Sequence, residues 1–151
     1  MKEQLQEYLK SFLRPNTVIG LIGVGSFGND LLNFFSQYSN PIILCDPPLE
    51  KISSEEQFDA ICELWGNGMG GCNPNTYEEH IYMPLQYLVT HCDLICIQVP
   101  LICTGEEKTE KMIDRHFLEH CRENVQIICF SSPNVISPEF WEDKRILFPI
   151  D

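Results

Sequence analysis

The glycines of G-V-G-S-F-G, Gly23, Gly25 and Gly28, stand at the G-x-G-x-x-G spacing that brings backbone N–H groups against an anion. Gly23 can end a strand in a tight turn, Gly25 lets amides approach a pyrophosphate, and Gly28 allows a helix to pack closely on the strand. Alone the pattern is weak, because glycine triplets also arise in plain turns, so its surroundings decide its meaning. The preceding TVIGLI is strand-like, the following LLNFF is helix-like, and the next strand-like run, IILCD, ends in Asp46, 18 residues past Gly28. A carboxylate at the tip of a second strand accepts hydrogen bonds from an adenosine ribose and repels a 2′-phosphate. Pro47, Pro48, Leu49 and Glu50 follow with no arginine or lysine, so the predicted cofactor is NAD rather than NADP. The competing reading is an α/β domain whose glycine turn binds nothing.

A second candidate for chemistry is weaker. His116 and His120 have the i, i+4 spacing that can place two metal ligands on one helix face, with Cys121 adjacent. No second ligand pair of recognisable spacing accompanies them and no C-x-x-C occurs, so they read as polar positions on a solvated helix and no metal is predicted. The eight cysteines fit reduced thiols better than a disulfide framework, since Cys45, Cys96 and Cys129 sit inside apolar strand-like runs.

The elements that must position the glycine turn alternate along the chain. A helix over 3–13, with Leu5, Tyr8, Leu9, Phe12 and Leu13 at helical spacing, stops at Arg14-Pro15-Asn16. Strands are predicted at 17–23, 41–46, 93–99, 125–130 and 145–150, and helices at 26–37, 54–65, 77–90, 109–121 and 137–142. The runs IILC, LICIQV, VQIICF and RILF are apolar throughout rather than alternating, as burial on both faces requires. The predicted fold is therefore α/β, a doubly wound parallel sheet of Rossmann type with about five strands and flanking helices. GNGMGGCNPN, from Gly66 to Asn75, has no strand before it and reads as a connecting loop.

Composition narrows the partners. The formal charge of -12 repels nucleic-acid phosphates and anionic lipid surfaces, no apolar stretch reaches membrane-spanning length, and MKEQLQEYLKSF is charged and amphipathic rather than a leader. A cytoplasmic protein with neither nucleic-acid nor membrane partners is expected. Leu5, Tyr8, Leu9 and Phe12 need a covering surface, which is either their own domain or a partner such as a second copy.

TVIGLIGVGSFGNDLL, ILCDPP and DLICIQVPLICTGEEKTEKMID together resemble the nucleotide-binding domain of the D-2-hydroxyacid dehydrogenase family, and the Cys-Asp-Pro-Pro run is most like the 4-phosphoerythronate dehydrogenase branch. The resemblance covers roughly residues 17–151, with 54–80 longer than the usual connection. It implies that Ser26 and Phe27 lie under the pyrophosphate, that Asp46 with Pro47 meets the adenosine ribose, and that Val99, Pro100 and Leu101 line the cofactor groove. It further implies that Ser131 and Ser132 border the cofactor, and that Asp151 resembles the aspartate that meets the nicotinamide carboxamide. The family's Asn-x-x-Arg-Gly pattern is matched here by CFSSPNVIS, with Ser132 and Pro133 where Arg-Gly is expected. A serine cannot form the arginine's bidentate pair with a substrate carboxylate. The family's glutamate and acid/base histidine fall later than this chain runs, and His80, His91, His116 and His120 all precede the strand at 125–130.

The expected organisation is thus an N-terminal helix, 1–16, followed by one dinucleotide-binding domain, 17–151, without a substrate domain. Three functions remain open. One is a stand-alone NAD(H)-binding module without dehydrogenase activity by itself. Another is a truncated or split NAD-dependent dehydrogenase completed by another chain at the open cleft. The last is an interaction scaffold that has lost nucleotide binding and acts through Trp65 to Tyr82.

Overall fold

A computed structural model describes residues 1–23, 25–45, 81–82, 85–105 and 108–149. In chain order the elements are α1 (Glu3–Lys10), β1 (Ile19–Ile22), α2 (Ser26–Phe35), β2 (Ile42–Cys45), β3 (Ile81–Tyr82), α3 (Leu85–His91), β4 (Leu94–Ile97), α4 (Arg115–His120), β5 (Gln126–Cys129) and β6 (Ile146–Leu147). Two 3-10 turns, Pro133–Val135 and Pro138–Phe140, join β5 to β6. All strand pairs are parallel, in the order β3-β2-β1-β4-β5-β6. The order reverses between β1 and β4, whose carboxyl ends frame the crevice where doubly wound sheets bind ligands.

Every residue of β1, β2 and β4 is buried, which is why those segments carry no polar alternation. One core packs Leu21, Leu44, Cys96 and Ile128 against Leu9 of α1 and Leu31, Leu32 and Phe35 of α2. The other packs Ile22, Ile43, Ile95 and Ile127 against Leu88 and Val89 of α3 and Phe117 and Leu118 of α4. Helix α1 lays its apolar stripe on the first core: Leu9 is fully buried, with Leu5, Tyr8, Phe12 and Leu13 around it. Cys45, Cys92, Cys96 and Cys129 are buried, and Cys92, Cys96 and Cys129 are free thiols. Burial pushes Cys129 up to about 11, so at neutral pH it is a protonated apolar group.

Several element boundaries differ from the sequence expectation. Within the expected helix 77–90, Ile81 and Tyr82 instead pair with Ile43 and Leu44 as a sixth strand, and the helix begins only at Leu85. The expected helix 109–121 is reduced to Arg115–His120, capped by Asp114, whose carboxylate accepts the Phe117 N–H at 3.0 Å. Its first part is loop: Lys111 has φ 58° and Ile113 bridges to Ile136. In place of a helix at 137–142, Pro133 and Pro138 each start a short 3-10 turn. The expected helix 54–65 and the Gly66–Asn75 segment lie outside the described residues. Among those described, no helix is long and apolar enough to cross a membrane.

Candidate functional site

The glycine turn leads from β1 into α2, and its glycines do different things. Gly23 has φ 96°, a left-handed conformation, and a Cβ there would stand 2.5 Å from the Gln98 carbonyl oxygen. A Cβ on Gly28 would overlap the carbonyl oxygen of Gly23, so the first turn of α2 rests on the strand end only because Gly28 has no side chain. Gly25 is the N-cap of α2, and a Cβ there would meet nothing within 4 Å among the described residues. No side chain caps this helix and no acid occupies its first turn. The amides of that turn have no intrahelical acceptor, and the helix dipole adds partial positive charge. The turn thus has the form of an anion cradle, with open space over Gly25.

Across the crevice, the tips of β4 and β5 are tied together by side chains. Gln98 Nε2 donates to the Gly23 carbonyl at 2.5 Å, joining β4 to the glycine turn, while its Oε1 is buried with no partner among the described residues. The Val99 N–H donates to Ser131 Oγ at 2.7 Å. Thr109, 1% exposed, donates its hydroxyl to the Pro100 carbonyl at 2.5 Å and accepts the Ile102 N–H at 2.8 Å. These bonds fix Val99 as a buried wall and leave Pro100 and Leu101 exposed on the rim. Neither Gln98 nor Thr109 was among the residues singled out from the sequence. Gln98 interrupts an otherwise apolar run, the signal that marks it, whereas Thr109 stands at the start of the predicted helix 109–121.

Ser132 is half-buried and caps the turn Pro133–Val135 by accepting the Asn134 N–H at 3.3 Å. Trp141 Nε1 donates to the carbonyls of Pro133 and Ile136 and holds that turn down. Serine and proline therefore stand in a hydrogen-bonded corner where the resemblance expects a cation. His120 Nδ1 donates to the His116 carbonyl at 2.7 Å, and no group of three or more metal-ligating side chains occurs among the described residues. Asp46, Pro47 and Asp151 lie outside the described residues.

On the α1 side of the crevice, the glycine turn borders a cavity of about 690 Å³. Leu5 and Tyr8 of α1, Phe27 of α2, Phe130 beyond β5 and Phe148 beyond β6 form its apolar lining. Phe27 and Phe130 meet edge to face, with ring centroids 5.0 Å apart. Met1, Gln4 and Pro149 also line it, as do Lys2 and Asp30, both exposed and of opposite charge. Burial raises the Tyr8 phenol above its ordinary pKa, with a smaller contribution from Cys96, so at neutral pH it is a hydrogen-bond donor. Sequence reasoning missed this cavity because its walls come from both ends of the chain.

No family model matches the sequence. Among curated proteins, the chain is 27% identical over 119 residues to the erythronate-4-phosphate dehydrogenase of Porphyromonas gingivalis, covering 79% of this chain and 26% of that one. It is 29% identical over 121 residues to that of Pseudoalteromonas translucida, covering 80% and 26%. The chain thus spans about a quarter of the length of these relatives. Among solved structures, the D-isomer specific 2-hydroxyacid dehydrogenase of Lactobacillus delbrueckii ssp. bulgaricus, in its NAD complexed form, superposes with a TM-score of 0.60 at 18% identity, over 87% of this chain and 33% of that one. A glyoxylate reductase from Paecilomyes thermophila gives a TM-score of 0.61 at 14% identity, over 89% and 35%. At such identities the structural likeness speaks for the fold, and the sequence matches speak for descent. Together with the glycine turn and the run from Asp93 to Asp114, they show that the chain is related to the erythronate-4-phosphate dehydrogenases and shares the fold of a domain of the D-2-hydroxyacid dehydrogenases.

Proposed function

We propose that the chain is an NAD(H)-binding module and that by itself it does not turn over a 2-hydroxy acid. The observation that carries the binding reading is the contrast inside the glycine turn. Gly23 and Gly28 are packed against backbone, whereas Gly25, among the described residues, has no atom over it and starts a helix with no side-chain cap. A pyrophosphate fits that arrangement, since it needs unpartnered amides and room for its oxygens. In this reading Gly25, Ser26, Phe27 and Gly28 hold the pyrophosphate, and Asp46 with Pro47 takes the adenosine ribose. Val99, Pro100, Leu101, Ser131 and Ser132 border the nicotinamide half, and Asp151 meets its carboxamide. When bound, the nicotinamide supplies hydride exchange.

This chain's residues support positioning more than proton transfer. Oxidation of a 2-hydroxy acid needs a cation to hold its carboxylate and a base to take the hydroxyl proton. Ser132 offers neither charge nor basicity and already accepts the Asn134 N–H. His91 closes the helix that feeds the amino end of β4, the opposite end of the sheet from the glycine turn.

Titrating the purified chain into NADH and following nicotinamide fluorescence tests the binding. A saturable change is expected, and none at millimolar NADH would leave the scaffold reading in its place. Asp46→Ala should weaken NAD binding and narrow its margin over NADP. Incubation with NAD and a panel of 2-hydroxy acids, 4-phosphoerythronate included, should give no sustained NADH production. A substantial rate would overturn the reading of Ser132.

A further inference from the structure

We infer that Gln98 is a positioning residue for the bound pyrophosphate: its side-chain amide holds the Gly23 carbonyl in place, so that the cradle presents N–H groups to the anion and no carbonyl oxygen. This rests on the NAD(H)-binding reading above and adds to it a residue that acts through Gly23.

Gly23 is gripped on several sides. Its N–H donates to the Cys45 carbonyl at 2.7 Å, its carbonyl accepts from Gln98 Nε2 at 2.5 Å, and a Cβ on it would stand 2.5 Å from the Gln98 main-chain oxygen. Gln98 is itself anchored, since its N–H donates to the Ile22 carbonyl at 2.9 Å. A Cβ on Gly28 would overlap the Gly23 carbonyl and stand 3.4 Å from Gln98 Cγ, so the Gln98 side chain, the carbonyl and the first turn of α2 pack as one unit. Hydrogen bonding rather than sterics sets the direction of this carbonyl, because Gly23, at φ 96°, has no Cβ to oppose rotation of its peptide. A carbonyl released from Gln98 must find another donor. The donors beside it are the first-turn amides of α2, which meet no side-chain cap among the described residues and are the groups that the anion needs.

The other end of the same amide shows that this bond is kept at a cost. Gln98 Oε1 is buried with no partner among the described residues, and an orphaned acceptor destabilises the fold. The opposite orientation of the amide would set Oε1 against the Gly23 oxygen, two acceptors face to face, so the donor must be the atom that meets Gly23. Leu94 to Ile97 and Val99 on either side are buried and, with Cys96 as a reduced thiol, apolar. An apolar side chain of the same length at position 98 would avoid the orphan. What glutamine supplies there and methionine lacks is the donor for Gly23.

Calorimetric titration with NAD+, paired with urea unfolding, compares wild type with Gln98→Met and Gln98→Glu. Methionine keeps the length and removes donor and orphan together, so the urea midpoint should stay close to wild type while NAD+ affinity falls roughly tenfold. Glutamate donates to Gly23 only when protonated, so the affinity of Gln98→Glu, taken relative to wild type at each pH, should be weakest at about pH 8 and recover toward about pH 5.5. A side chain that only filled space would give no such recovery, and the profile remains readable if Gln98→Met does not fold. Unchanged NAD+ affinity in a folded Gln98→Met, or a Gln98→Glu deficit that does not vary with pH, overturns the inference and leaves dinucleotide binding standing. Failure of the wild-type chain to bind NAD+ overturns both.

Discussion

The two ends of the sheet are built from the same strands and finished in opposite ways. At the amino edge, polar side chains take up backbone groups or each other. Asp93 accepts the Val18 N–H at 2.9 Å and Arg122 Nη1 at 3.0 Å, Asn40 donates to the Arg14 and Thr17 carbonyls, and Arg145 forks onto Asp143. At the carboxyl edge, Gln98, Ser131 and Thr109 tie down the tips of β4 and β5, but among the described residues the start of α2 has no side-chain cap and no atom over Gly25. Polar backbone groups must be satisfied somewhere. The amino edge satisfies them internally, whereas at the carboxyl edge the first amides of α2 meet no side-chain cap among the described residues.

The sharpest way to break this comparison is to fill the glycine turn. Gly28→Val places side-chain atoms into the Gly23 carbonyl, a backbone group that cannot rotate away, and should cost roughly 3 kcal/mol of stability in urea unfolding. An unchanged midpoint would mean that α2 does not depend on close approach to β1. Thr109→Val keeps the shape and removes the hydroxyl, leaving the Pro100 carbonyl and Ile102 N–H without their partner at a 1% exposed position. Roughly 2 kcal/mol should be lost, with weaker NADH binding as the Val99–Leu101 wall loosens. A loss of stability with NADH affinity untouched would make that wall scaffold, like the amino edge. Gly25→Val should reverse the pattern: its Cβ meets no atom of the described residues, so stability should stay within about 1 kcal/mol, yet NADH affinity should fall roughly tenfold or more. Wild-type affinity in that variant would show that the open space over Gly25 is not where the dinucleotide lies.

What the sequence disclosed follows the range of the interactions involved. The strands and α2 were legible because fully buried parallel strands read as unbroken apolar runs, and the glycine turn because its spacing is local. Strand β3 was not, since Ile81 and Tyr82 pair with β2 across a long separation while their neighbours carry helical periodicity. The shortening of the helix at 109–121 has the same cause, for the Lys111 and Ile113 N–H groups donate to the distant Asn134 and Val135 carbonyls. Gln98 acts on Gly23, 75 residues away, and the cavity gathers Tyr8, Phe27, Phe130 and Phe148 from across the chain. Local patterns disclosed the turn, and tertiary structure alone disclosed what borders it.

The smallest effect belongs to the amino edge and checks that it is scaffold only. Arg145 bonds to Asp143 through Nε at 3.1 Å and Nη2 at 2.9 Å and donates Nη1 to the Leu118 carbonyl at the end of α4, fixing the approach to β6. The Arg145 guanidinium holds the Asp143 carboxyl below its ordinary pKa, with burial acting partly against it. A lowered folded-state pKa means that the unfolded chain takes up the proton first on acidification. The stabilisation is therefore complete above the unfolded value of about 3.9 and disappears as pH falls through the folded value. Both partners retain solvent contact, at 30% and 20% exposure, so the pair should contribute less than about 1 kcal/mol. Asp143→Asn should accordingly be slightly less stable than wild type at neutral pH, and the difference should close as acid unfolding is followed from about pH 5 to about pH 2. A difference that persists unchanged in acid would assign the loss to packing rather than to charge. NADH affinity in the same variant should match wild type, because the edge it alters lies at the opposite end of the strands from the glycine turn. A weakened affinity would show that the two ends of the sheet are coupled.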